Sequence, residues 1–250
     1  MAGSWADFYQ SDLQSVYAAW VAPTFFLVYW LLSRPVRRPG VESRAASFMN
    51  VYAPIFAIET LVDPLATGPL LRWLALDERA ATYFMVPFVL LGDFRVYLLI
   101  FYVIAPERGV GSALRRAARW TLLVPIVAVG VTSWLAAGRG PLPSQTIWIA
   151  YESAFFAVMM FFELRVVPKG VGLRRFEVRQ YLGALVRYVA LYYALWVAAD
   201  LLIVLRGWDW AWALRVIPNQ LYYALWIPFA YLSFYSPRYA ATRSAVHTSR

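Results

Sequence analysis

The sequence lacks cysteine and has a single histidine, His247, close to its C-terminus. Without cysteine the chain has no disulfide and no thiolate nucleophile. A metal or haem site built on histidine within the apolar part of the chain is excluded, and we expect no metal and no redox cofactor. The one lysine, Lys169, falls in a predicted loop, which argues against a retinal Schiff base. Kinase, P-loop and dinucleotide-binding fingerprints are absent.

Charge is also scarce. Only 15% of the residues are charged and 62% are hydrophobic, whereas soluble domains carry about 25% charged residues. The mean hydropathy of +0.55 is typical of a polytopic membrane protein. The first 14 residues contain two Asp and no Lys or Arg. This is the wrong charge for a signal peptide, so the first span is expected to stay in the mature protein.

Apolar segments of about the length that crosses a bilayer recur along the chain. They predict an all-α fold in which residues 1–250 form a single domain, a bundle of seven transmembrane helices. Turn-forming stretches such as "SRPVRRPG", "GRGPLPS" and "RGWDW" separate the segments. The predicted spans lie near 16–34, 49–67, 81–104, 120–138, 146–164, 181–205 and 213–235.

The cationic residues are distributed unevenly between the two sets of loops. The loops after spans 1, 3 and 5 and the C-terminal tail hold 16 Lys and Arg, against 5 on the other side when Arg215 is counted with the last loop. The positive-inside rule then places the N-terminus outside and the C-terminus in the cytoplasm, as in a bacterial cytoplasmic membrane. The net charge of +9 is explained by this bias and by contact with anionic lipids, rather than by nucleic acid.

Ionisable residues also occur inside the predicted spans, where each costs about 2.5–3.5 kcal/mol. Such a set predicts either interhelical ion pairs or a polar cavity. At about 1.5 Å per residue, Glu59 and Asp93 fall near the midplane and most of the others in the outer half. This depth favours one cavity that opens outward or sideways into the outer leaflet. The set, with two amides, is Glu59, Asp63, Asp93, Arg95, Glu152, Arg187, Asp200, Asn219 and Gln220.

Helical spacing adds pairings to this set. Glu59 and Asp63 are four residues apart and share a face, so in a medium of low dielectric constant one of them is expected to keep a proton. Arg95 is expected to find its partner in this pair. Two polar and aromatic stripes, on spans 6 and 7, predict either core packing or a pocket for a cationic or flat apolar group. They comprise Tyr193, Trp196 and Asp200, and Asn219, Tyr223 and Trp226.

Two stretches, "SFMNVYAPIFAIET" around Glu59 and "LLGDFRVYLLIFYVIAPERG" in span 3, carry a family resemblance. With seven spans and an external N-terminus, the chain resembles the integral-membrane terpene cyclases of meroterpenoid and indole-diterpene pathways. The resemblance implies proton-initiated cyclisation of a prenyl substrate, with Glu59 as the acid. Ile58 stands where the family has Trp, and span 7 lacks the family's second acid. Asp63, Asp93 or Asp200 would have to take that place.

Other readings remain open. "LLGDFRVYLL" and "VAADLLIVL" resemble the two Asp-bearing segments of lysoplasmalogenase-like membrane hydrolases, although that family's His-bearing span is missing. A binding, transport or structural protein with interhelical ion pairs is the non-enzymatic alternative.

The expected function is thus acid–base chemistry on a hydrophobic, prenyl- or lipid-like substrate, with catalytic candidates Glu59, Asp63, Asp93 and Asp200. The expected substrate-binding residues are Arg95, Glu152, Tyr193, Trp196, Asn219, Gln220, Tyr223 and Trp226.

Overall fold

The computed structural model describes residues 4–33, 44–170 and 176–236, and this part of the chain is helical and contains no strand. A short helix α1, Trp5–Gln10, precedes the long ones. The long helices are α2 (Leu13–Ser33), α3 (Arg44–Leu74), α4 (Glu78–Ile104), α5 (Gly109–Arg139), α6 (Gln145–Lys169) and α7 (Phe176–Arg206). The last helix, α8, consists of Ala211–Asn219, a π-helical turn Gln220–Leu225 and Trp226–Tyr235. The predicted all-α class is confirmed.

Within the described residues, six helices are long and apolar enough to cross a membrane, and they coincide with the first six predicted spans. The last predicted span, 213–235, is helical but does not belong to this set. It carries Arg215, Asn219 and Gln220 as well as several tyrosines, which lower its hydropathy. His247 and the Arg-bearing segments 34–43 and 171–175 lie outside the described residues.

Several helices extend beyond the predicted apolar limits. Helix α5 starts at Gly109 rather than near residue 120, because the Arg-rich stretch "GSALRRAARW" continues the helix. Polar residues do not end a helix when their side chains can reach water or lipid headgroups. Hydropathy therefore predicts the apolar part of each helix, but not the residues at which the helix begins and ends.

Within residues 4–33, 44–170 and 176–236 the helices contain four π-helical turns, and each has a proline inside it or within five residues of its end. The prolines are Pro23, Pro69, Pro168 and Pro228. Proline has no N–H to donate and crowds the carbonyl of the preceding turn, so the regular hydrogen-bond pattern shifts there. A carbonyl oxygen within the π-helical turn of α8, that of Leu221, accepts a hydrogen bond from Tyr188 Oη of α7 at 3.0 Å.

Helix α4 lies at the centre of the bundle. It contacts α3, α5 and α7, and its residues from Val96 to Val103 are buried on every side. Helix α7 packs along α6 and α8, and α2 packs on α3. Large apolar side chains such as Phe25, Leu32 and Ile126 are more than two-thirds exposed. An apolar outer surface of this kind suits contact with lipid rather than water.

The N-terminal helix α1 is fastened to one end of the bundle. The carboxylate of Asp209 accepts hydrogen bonds from the backbone N–H groups of Trp5 at 2.8 Å and Ala6 at 3.3 Å. These are first-turn donors that have no partner within the helix. Ser4 and Asp7 form a capping box at the same end. Helix α1 therefore lies against the start of α8, where Tyr9 contacts the ring of Trp212.

We predict that Gly92→Ala disturbs the contact between α4 and α8. A Cβ at Gly92 would lie 1.8 Å from the hydroxyl oxygen of Tyr222, a side chain that is itself buried. Overpacking of this kind costs about 1–3 kcal/mol. Gly130→Ala is the matched control, because its Cβ would meet no atom within 4 Å. Thermal unfolding of the purified variants in detergent measures the effect, and equal midpoints for the two would contradict the predicted contact.

Candidate functional site

A buried guanidinium, Arg95, joins three helices at the centre of the bundle. Its Nη1 contacts Glu59 Oε2 and Thr60 Oγ1 of α3, each at 2.7 Å. Its Nη2 donates to the carbonyl oxygen of Tyr222 in α8 at 2.7 Å. The guanidinium also lies over the Tyr222 ring, 4.8 Å from the centroid. The predicted pairing of Arg95 with the Glu59/Asp63 pair is therefore confirmed, through Glu59.

A second layer of contacts holds this arrangement in place. Tyr52 Oη donates to the carbonyl oxygen of Arg95 at 2.9 Å, and Trp226 Nε1 donates to Tyr52 Oη at 3.3 Å. Asp63 is buried one turn beyond Glu59, and Thr67 Oγ1 donates to its Oδ1 at 3.3 Å. Trp226, predicted to line a substrate pocket, instead packs in this layer, and its side chain is fully buried. Glu59 here acts as the counter-ion of Arg95, and its catalytic role stays a prediction.

Asp93 lies two residues from Arg95 and faces a different region of the bundle. Its two carboxylate oxygens accept hydrogen bonds from the hydroxyl groups of Tyr151 in α6 and Tyr193 in α7. The Tyr193 ring stacks on Phe155 with centroids 4.2 Å apart, which fixes the phenol in place. A carboxyl group between two phenols can take up or release a proton while its hydrogen bonds remain.

A second ionic cluster lies toward the end of the bundle at which α1 is fastened. Arg215 of α8 pairs with Asp200 of α7, and its Nη2 is 4.0 Å from Glu152 Oε1 of α6. The guanidinium also lies over the rings of Tyr9, at 5.2 Å, and Trp212, at 5.5 Å. One arginine thus serves two buried carboxylates. Glu152 Oε2 accepts no hydrogen bond from a described residue.

Asp93 and this second cluster border the same cavity of about 180 Å³. Most of its walls are buried, and the half-exposed Trp148 lies at its rim. The lining consists of acids, one arginine and an unusual number of aromatic rings: Tyr9, Val89, Asp93, Trp148, Tyr151, Glu152, Tyr193, Trp196, Arg215, Asn219, Tyr222 and Tyr223.

The cavity brings together half of the residues proposed from the sequence. Asp93, Glu152, Tyr193, Trp196, Asn219 and Tyr223 line it. Asp200 does not line the cavity itself, but it pairs with Arg215, which does. Glu59, Asp63, Arg95, Gln220 and Trp226 do not line it, because they belong to the packed layer around Arg95 or lie beside it. The predicted convergence of Glu59 and Asp63 with the other acids on one cavity is therefore not observed.

Six of the twelve lining residues are not among the site residues proposed from the sequence: Tyr9, Val89, Trp148, Tyr151, Arg215 and Tyr222. Arg215 lies at the very start of the last predicted span, so the sequence assigns it to the preceding loop. In the structure only 8% of the residue is exposed. Tyr151 could have been found from its place beside Glu152. Tyr9 precedes the first predicted span, and only the fastening of α1 brings it to the cavity. No group of three or more His, Asp or Glu side chains that could hold a metal ion occurs among the described residues.

We predict that the Arg95–Glu59 pair supports the fold. Arg95→Met would leave the Glu59 carboxylate buried without its counter-ion, which costs about 3–5 kcal/mol. The double variant Glu59→Gln/Arg95→Met removes both charges, so it should lose less stability than the sum of the single changes.

Arg187→Met is the matched control for this prediction, because Arg187 pairs with Glu163 at 2.5 Å while 62% of its side chain is exposed. An exposed pair contributes about 0–1 kcal/mol. Unfolding of the four variants in mixed detergent micelles gives the free energies. Equal losses for Arg95→Met and Arg187→Met would contradict a supporting role for the buried pair.

Comparisons with known proteins add no family to this description. No protein-family model, no curated protein and no solved structure matches the chain. The family resemblances of the sequence therefore stay expectations. The residues that line the cavity are the basis for proposing a function.

Proposed function

We propose that this protein is an integral membrane enzyme that performs acid–base chemistry on a hydrophobic, prenyl- or lipid-like substrate. The observation that carries the proposal is the position of Asp93. Its carboxyl group lies between two phenols, Tyr151 and Tyr193, at the wall of a buried aromatic cavity. An acid held away from water, with proton donors beside it, is what general acid catalysis on an apolar substrate requires.

The proposal includes a topology. Helix α8 is the seventh span, the N-terminus is outside and the C-terminus is cytoplasmic. The helical stretch 211–235 is about 37 Å long at about 1.5 Å per residue, which is sufficient to cross a bilayer. Its polar residues Arg215 and Asn219 are buried against the cavity and not turned to lipid. The excess of Lys and Arg in alternate loops supports the orientation, which resembles that of a bacterial cytoplasmic membrane protein.

Asp93 takes the role of working acid in this proposal, in place of Glu59. The protonated carboxyl transfers its proton to an alkene carbon or an ether oxygen of the substrate. A C–H or O–H bond forms, the substrate becomes cationic, and Asp93 is left as carboxylate. The cation is discharged when a neighbouring carbon returns a proton to Asp93 or when an oxygen nucleophile adds. Trp196, Tyr222 and Tyr223 line the space in which that positive charge would develop.

Cavity size restricts which part of the substrate reacts. A cavity of about 150 Å³ in another protein holds one benzene molecule, and the one here measures about 180 Å³. It accommodates one end of an amphiphilic molecule, while the rest of the substrate would lie toward the membrane. Cyclisation of a whole polyprenyl chain would need a larger space, so chemistry at a terminal group is the form of the proposal that we favour.

A hydrolase is the second candidate, and one observation favours it. The two Asp-bearing segments that resemble lysoplasmalogenase-like hydrolases both reach the cavity. Asp93 lines it, and Asp200 holds Arg215 at its wall. In this version Asp93 protonates an ether oxygen, the C–O bond breaks and an alcohol leaves. Water then adds to the resulting carbocation and returns a proton to the Asp93 carboxylate.

The proposal predicts that Asp93→Asn lowers turnover by at least about 100-fold, since a positioned general acid contributes about 10²–10⁴-fold. Tyr193→Phe should lower it by about 10- to 100-fold, the effect of one hydrogen bond to a charged group. The purified protein in nanodiscs is incubated with lipid extract and a panel of prenyl alcohols, ethers and epoxides. Mass spectrometry in D₂O and in H₂¹⁸O identifies the products.

Deuterium without ¹⁸O in the product indicates isomerisation or cyclisation, and ¹⁸O indicates hydrolysis. Glu163→Gln is the acid-to-amide control, because Glu163 pairs with the exposed Arg187 outside the cavity. Should Asp93→Asn turn over every substrate as fast as Glu163→Gln does, the cavity is not the active site. Absence of any product from the wild-type protein would equally count against an enzyme.

A further inference from the structure

Carboxyl groups outnumber cationic groups at the cavity. Asp93 and Glu152 line it, and Asp200 is held at its wall, whereas Arg215 is the one cationic side chain among the described lining residues. Arg215 is already paired with Asp200, and Glu152 is its more distant partner at 4.0 Å. Asp93 has only the hydroxyl groups of tyrosines as partners. A buried carboxylate without a cation is costly unless it holds a proton or a ligand supplies the charge.

One atom of this cluster is available to such a ligand. Glu152 Oε2 accepts no hydrogen bond from a described residue, although Glu152 is only 4% exposed and lines the cavity. Buried acceptors in folded proteins normally have a partner. The Glu152 oxygen without a donor and the excess of carboxyl groups therefore point to the same kind of guest, a cation.

The remaining walls suit a positive charge that carries alkyl groups. The rings of Trp148, Trp196, Tyr222 and Tyr223 line the cavity. Aromatic faces attract cations, and most strongly those that have shed their water. The site already uses this interaction, since the Arg215 guanidinium lies 5.2 Å from the centroid of the Tyr9 ring. A metal ion would instead need several oxygen or nitrogen ligands, and no such group occurs among the described residues.

We infer that the cavity binds a compact organic monocation of the quaternary or tertiary ammonium type, as the polar end of an otherwise apolar substrate. This inference rests on the proposed function only in taking the same cavity as the binding site. It assigns the carboxylate of Glu152 to charge recognition and the aromatic rings to the alkyl groups. Arg215 keeps Asp200 neutralised, so it does not repel the guest as a free cation would.

The test compares choline with 3,3-dimethylbutan-1-ol, its neutral carbon isostere, on the wild-type protein in detergent. Quenching of tryptophan fluorescence and isothermal titration report binding. Choline is expected to bind at least about tenfold more tightly than the isostere, because the two share a shape and differ only in charge. This comparison needs no variant and is therefore independent of how well a variant folds.

Binding measurements on variants then identify the carboxylate that contacts the bound cation. Glu152→Gln should weaken choline binding by about tenfold and leave binding of the isostere unchanged, whereas Glu163→Gln should change neither. Equal affinity of the wild-type protein for choline and the isostere, or no binding of choline, overturns the inference.

These results remain separate from the test of turnover. Choline binding by a wild-type protein that turns over no substrate would retain the cation site and reject the enzyme. Turnover that depends on Asp93, without choline binding, would retain the enzyme and reject the cation site.

Discussion

The pairing of Arg95 with Glu59 is the interaction on which the rest of the structure depends. A guanidinium at the centre of an apolar bundle is costly unless it is paired. Both terminal nitrogens of Arg95 are paired, Nη1 with Glu59 and Thr60 of α3 and Nη2 with a backbone carbonyl of α8. That carbonyl belongs to the π-helical turn of α8. The charge thus joins helices that are distant in sequence, and it sets the position of Tyr222 against Gly92.

This junction separates two groups of ionisable residues. On one side, Glu59 and Asp63 belong to a packed layer in which Glu59 pairs with Arg95 of α4 and Asp63 accepts from Thr67 of its own helix. On the other side, Asp93 and the Glu152–Arg215 pair face a cavity. The ring of Tyr222 belongs to both, since it lies under Arg95 and also lines the cavity. Substitutions at the junction are therefore expected to alter the cavity as well as the stability of the bundle.

The helices could be predicted because long apolar segments have few other structures available to them in a membrane. The pairing of Arg95 could also be predicted, since Glu59 and Asp63 share one helical face. The depth of an acid along its helix did not predict which side chains surround it. Asp93 and Glu59 both fall near the midplane, yet rotation of α4 turns Asp93 toward Tyr151 and Tyr193. Arg215 and Tyr9 join the site through the docking of α1 on α8, a tertiary contact with no periodic signal in the sequence.

The central claim is that a cavity of polar and aromatic residues opens toward the side of the membrane that bears the N-terminus. Since the chain has no cysteine, single-cysteine variants can be made without altering a native thiol. Asn219→Cys places a thiol in the cavity wall, and Ala128→Cys places one at a position that is 1% exposed within α5. A membrane-impermeant cationic methanethiosulfonate reagent is added to the outside of intact cells. The account predicts modification of Asn219→Cys and none of Ala128→Cys. An Asn219→Cys variant that resists the reagent as completely as Ala128→Cys, or that reacts only from the cytoplasmic side, would contradict it.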